Sequence, residues 1–160
     1  MSAGKILISI VVALGLVSAA PAKAGEPHAH DDHSATVQLR LDNGKKWRTD
    51  EALRRGMDEI RKAIAESQTL IHENAFTPSQ YDALAAGIQT QIDYVVGNCK
   101  LPEDADEQLH LMLEQLIDGV AEMKATTGGD KRAKGAERIA RALVQYGEYF
   151  DHSGWPPPAR

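Results

Sequence analysis

Apolar residues recur at helical spacing four times between residues 50 and 150. Leu53, Met57, Ile60, Ile64 and Ile71 make the first stripe. Tyr81, Leu84, Ile88, Ile92, Val95 and Cys99 make the second. Leu109, Leu113, Leu116, Val120 and Met123 form the third, and Ile139, Leu143, Tyr146 and Phe150 the fourth. Steps of three and four put each set on one face of an α-helix. The predicted helices run from about Asp50 to Asn74, from Pro78 to Asn98, from Glu103 to Lys124 and from Asp130 to Phe150.

The punctuation between the stripes agrees with those limits. Asp50 can accept backbone N–H groups as an N-cap, and Glu51 suits the positive end of the helix dipole. In Thr77-Pro78-Ser79-Gln80, threonine caps, proline takes the first helical position and glutamine completes a capping box. Leu101-Pro102 breaks the chain, and Glu103, Asp104, Asp106 and Glu107 crowd the next helix start. Thr126-Thr127-Gly128-Gly129 reads as a loop, while Gly154 and Pro156-Pro157-Pro158 forbid continuation of the fourth helix. Connections this short predict an all-α fold over residues 49–155, an antiparallel up-down-up-down four-helix bundle.

Before the bundle the pattern changes three times. Residues 1–24 read as a secretory signal: Lys5, the apolar stretch Ile6 to Val17, and Ala22-Lys23-Ala24 as a small-x-small cleavage site. The apolar run is too short for a stable membrane span. Residues 25–35 form a polar, disordered tail with three of the six histidines, His28, His30 and His33, beside Asp31 and Asp32. Residues 36–48 alternate at period two through Leu41. Asp42-Asn43-Gly44 then signals a turn, so this stretch is an extended arm or a small hairpin laid on the helices. Residues 156–160 are a proline-rich tail.

The net charge of −5 supplies no basic stripe, which argues against nucleic acid as a partner. An aromatic content of 5% also disfavours a base-stacking surface. No nucleophile–base–orienter set and no H-E-x-x-H occurs, so the chain reads as a non-enzyme. Export predicts a periplasmic or secreted protein in an oxidising compartment, and the single cysteine cannot pair within the chain. Cys99 is then a buried inert thiol, an intermolecular disulfide partner or a ligand.

The bundle topology sharpens the last alternative. Met57, Cys99, His110 and His152 come from four different helices and fall within roughly 10–12 Å of one another along the bundle axis. Thiolate and thioether are soft donors that select copper(I), and imidazole suits copper and zinc. The expected activity is therefore binding of a copper ion for buffering, delivery or sensing. A periplasmic redox or metal-transport partner would exchange the ion, and His28, His30 and His33 would be a weak collecting tail. A second expectation is a haem b electron carrier, with Met57 and His152 as axial ligands. Covalent haem attachment is excluded by the absence of C-x-x-C-H. A third is a metal-free structural or stress-response interaction protein.

Two stretches carry a resemblance. Asn98-Cys99-Lys100-Leu101-Pro102 with Ala105-Asp106 and Leu109-His110, and Tyr149-Phe150-Asp151-His152 with Gly154-Trp155, resemble a group of small exported bacterial helical-bundle proteins of unassigned activity. Ser153 stands where proline often precedes the glycine. The resemblance implies a periplasmic helical bundle in which Cys99, His110 and His152 belong together. The helix order and the Met57/His152 positions are also similar, in topology, to periplasmic b-type cytochrome bundles.

Overall fold

The computed structural model describes residues 38–126 and 129–156. The described residues belong to one compact unit. The expected signal and the His/Asp tail lie outside the described residues. Four helices carry the fold: α1 (Glu51–His72), α2 (Pro78–Asn98), α3 (Glu103–Met123) and α4 (Gly129–Tyr149). Two short strands, β1 (Trp47–Arg48) and β2 (Phe150–Asp151), flank them.

The helices begin and end where local chemistry demands. Asp50 caps α1 by accepting the Leu53 N–H at 2.7 Å. Thr77 and Gln80 form the reciprocal capping box at the start of α2. Cys99 leaves the helix in extended conformation (φ −68°, ψ 141°), so the break before Pro102 already begins there. Helix α4 starts at Gly129 and stops at Tyr149, because Phe150 joins a strand pair.

Each helix packs on the next in sequence, and α1 also touches α4. The α3–α4 contact is the most extensive and the α1–α4 contact is much thinner. Apart from Cys99, every residue of the four predicted stripes is buried. Fully enclosed side chains such as Leu53, Ile60, Ile88 and Leu116 each contribute about 1.5–3 kcal/mol of hydrophobic stabilisation. Gly119 and Gly135 meet where α3 crosses α4, and a Cβ on Gly135 would lie 2.5 Å from the Gly119 carbonyl oxygen. A bidentate pair, Arg138 Nη2–Glu122 Oε1 at 2.7 Å and Arg138 Nε–Glu122 Oε2 at 3.2 Å, ties the same two helices nearer the surface.

The arm differs from a free-standing hairpin. Asp42 and Lys45 close a tight turn through reciprocal backbone hydrogen bonds of 2.8 Å, but pairing stops at that bridge. The chain then runs into β1, which pairs in parallel with β2, Trp47 opposite Phe150 and Arg48 opposite Asp151. The Trp47 indole N–H donates to the Arg40 carbonyl at 2.6 Å, and the Arg40 N–H donates to buried Gln108 at 2.8 Å. An isolated short strand is marginal in water, and the bundle wall supplies the missing partners. Among the described residues no helix is long and apolar enough to cross a membrane.

Candidate functional site

Polar and aromatic side chains from α1, α4 and the segment after β2 gather around His152. Helix α4 ends at Tyr149, β2 carries the chain two residues further, and a turn follows. Gly154 takes φ +83° there, and the Trp155 N–H donates to the His152 carbonyl at 3.0 Å. This hook folds the His152 ring inward, where it is 9% exposed. Its Nε2 lies 3.3 Å from Asp58 Oδ2 on α1, and its Nδ1 lies 3.1 Å from the Tyr146 hydroxyl on α4. The carboxylate can only accept, so Nε2 carries the proton, and the Tyr146 O–H then donates to Nδ1. Trp155 closes the hook. Its ring packs edge-on to Tyr146 at 4.7 Å and sits over Gly147, with the Arg61 guanidinium 5.3 Å from its centroid.

Burial pushes the His152 imidazole below its ordinary range, helped by Arg54 and Arg61 and opposed by Asp58. Burial also holds the Tyr146 hydroxyl well above the ordinary phenol range, and the Asp58 charge adds to that. Both groups are therefore neutral at pH 7. A histidine depressed in the folded state adds stability that is complete above its unfolded value, and that stability is lost as pH falls through the folded one. The thermal midpoint of the protein is expected to fall between pH 7 and pH 5, and His152→Gln is expected to flatten that segment of the profile. An unchanged slope in the variant would show that another group sets it.

Cys99 does different work. Asp50 Oδ1 accepts the Leu53 N–H, Oδ2 accepts the Lys100 N–H at 2.6 Å, and the Cys99 thiol lies beside the same carboxylate. One side chain thus pins the start of α1 to the end of α2. Burial pushes the Asp50 carboxyl up, but these N–H groups, the thiol and Arg54 outweigh it and hold it below its ordinary value. Burial, then the nearby Asp50 charge, pushes the Cys99 thiol up to about 12.

The expected soft-metal set is not assembled. Met57 is fully enclosed in the hydrocarbon core. His110 points outward with its side chain 69% exposed, and its Nδ1 donates to the Asp106 carbonyl at 2.8 Å, one helical turn back. Among the described residues no three His, Cys, Asp or Glu side chains form a group able to hold a metal ion. A Cys99/His110/Met57/His152 copper centre does not fit this arrangement, because Met57 is enclosed, His110 points outward and the His152 ring faces Asp58 and Tyr146. Haem fits no better. Both His152 ring nitrogens are engaged, and the cleft beside the ring, about 270 Å³, is walled by Lys46 and Asp151 as well as Phe150 and Trp155.

Sequence reasoning passed over Asp58 and Tyr146 as partners of His152. Asp58 sits beside Met57, off the apolar stripe, where a charged residue reads as solvated. The hydroxyl of Tyr146 had no visible destination, because the ring that meets it lies beyond the helix end, where periodicity stops. No protein-family model, curated protein or solved structure matches this chain.

Proposed function

We propose that this chain is an exported, antiparallel up-down-up-down four-helix bundle that collects a divalent transition-metal ion for periplasmic buffering or delivery. The collecting donors are the imidazoles of His28, His30 and His33 with the carboxylates of Asp31 and Asp32. The observation that carries this reading is the commitment of the bundle's own donors. Cys99 lies beside the Asp50 carboxylate, His152 is held between Asp58 and Tyr146, and Met57 fills the core. The densest run of donors left in the chain is the histidine–aspartate segment, with three imidazoles in six residues. Imidazole and carboxylate donors suit copper(II) and zinc(II) rather than copper(I).

The arrangement of the bundle supports its part in this reading. Gly56, early in α1, approaches Val95, late in α2. Arg132, at the start of α4, reaches Pro78 and Asp82 at the start of α2. Helices that alternate in direction, with α2 and α4 running the same way, would account for these contacts.

Equilibrium dialysis against copper(II) and zinc(II) salts tests the reading. Wild-type protein and Cys99→Ala are expected to take up metal equally, and the triple variant His28→Ala/His30→Ala/His33→Ala to lose uptake. Uptake that survives the triple variant, or vanishes in Cys99→Ala, would overturn the assignment.

A further inference from the structure

The chain has three asparagines, Asn43, Asn74 and Asn98, and the structure treats their following amides differently. The Ala75 N–H donates to the Leu70 carbonyl at 2.8 Å, and the Cys99 N–H donates to the Val95 carbonyl at 2.8 Å. The turn after Asn43 is closed by Asp42 and Lys45, so the Gly44 N–H makes no backbone bond with a described residue. Asn43 (φ 48°) and Gly44 (φ 82°) hold the left-handed conformations of a two-residue hairpin turn. Apart from its two chain neighbours, no described residue comes within 4 Å of the position a Gly44 Cβ would take. The Asn43 side chain is exposed, and its amide donates to Asp42 Oδ1 at 2.9 Å.

We propose that Asn43 is a self-modification site, converted without an enzyme to aspartate and isoaspartate. The Gly44 amide nitrogen attacks Asn43 Cγ and forms the N–Cγ bond of a succinimide. The Cγ–Nδ2 bond breaks, and ammonia leaves with the proton that Gly44 gives up. Water then adds to either imide carbonyl. One opening yields an ordinary aspartate. The other yields isoaspartate, in which the main chain runs through the β-carbon. No electrons are exchanged, and water is the only co-reactant. Each event adds one negative charge, and the isoaspartyl product lengthens the turn by one backbone atom. The reciprocal Asp42–Lys45 bonds cannot both survive that insertion. The arm that reaches Gln108 through Arg40, and Arg40 through Trp47, then loosens.

Peptide mapping by mass spectrometry, with fragmentation that separates aspartate from isoaspartate, tests this on the purified protein held at mildly alkaline pH. The expected result is loss of amide at Asn43, with both products present, while Asn74 and Asn98 stay intact. Asn43→Gln, which lengthens the side chain, is expected to abolish the acidic variant seen by ion exchange. The proposal fails if Asn43 stays intact in the folded protein over a period that converts it in the urea-unfolded chain. It fails equally if Asn74 or Asn98 converts first.

Discussion

Replacing Gly135 by alanine will destabilise the bundle by about 2 kcal/mol, even though alanine is the better helix former. The new Cβ would sit 2.5 Å from the Gly119 carbonyl oxygen and 2.7 Å from the Met123 amide nitrogen. Both are backbone atoms, so no rotamer change relieves the clash, and α3 must move away from α4. That movement loosens the tightest helix pair, including Ile139 against Gly119. The helix-propensity gain of about 1 kcal/mol opposes the loss without cancelling it. A drop in melting temperature of roughly 5–10 °C is expected from calorimetry. Gly87 is the control. It is exposed in the middle of α2, and beyond the adjoining backbone of its own helix no described atom lies within 4 Å of its would-be Cβ. Gly87→Ala should therefore stabilise by about 0.5–1 kcal/mol. Equal effects of the two substitutions would mean that the α3–α4 crossing is looser than described.

The native Cys99 thiol will resist alkylation. Its rise from an ordinary 9.0 to about 12 leaves roughly a thousandfold less thiolate at neutral pH. A more basic thiolate is intrinsically more nucleophilic, which restores roughly fifteen- to thirtyfold at a Brønsted slope of about 0.4–0.5. Iodoacetamide should therefore react with folded protein roughly thirty- to sixtyfold more slowly than with urea-unfolded protein at the same pH. Asp50→Asn keeps a good N-cap for α1 but removes the opposing charge, so it should recover part of the rate. Folded protein alkylated as fast as unfolded protein would show a thiol free of the carboxylate. This outcome also bears on metal chemistry, since copper(I) needs the thiolate that Asp50 disfavours.

The helices were legible because their signals are local. Five positions such as Leu53, Met57, Ile60, Ile64 and Ile71 state one face by spacing alone, and Thr77 with Gln80 states where a helix begins. The candidate site was legible only in part. Helical periodicity placed Cys99 on an inward stripe, but Pro102 had already ended the helix, and the thiol turned to Asp50. His110 lay on the flank of its stripe and went outward, because the Asp106 carbonyl one turn back offered a partner without burial. His152 reached the interior as its position near the last helix suggested, but through a hook whose turn depends on Gly154. Its partners, Asp58 and Tyr146, are joined to it by tertiary contact that no spacing rule encodes. The β1–β2 pairing is of the same kind, since its two strands lie at opposite ends of the folded segment.

That pairing has a mechanical consequence. Adjacent strands that run the same way, one near the front of the folded segment and the other near its rear, present opposite tips to any tension between the chain's extremities. Such a pull slides β1 past β2 and strains their hydrogen bonds together instead of peeling them one by one. Stretched from both ends, the helices stay shielded until this small clamp shears.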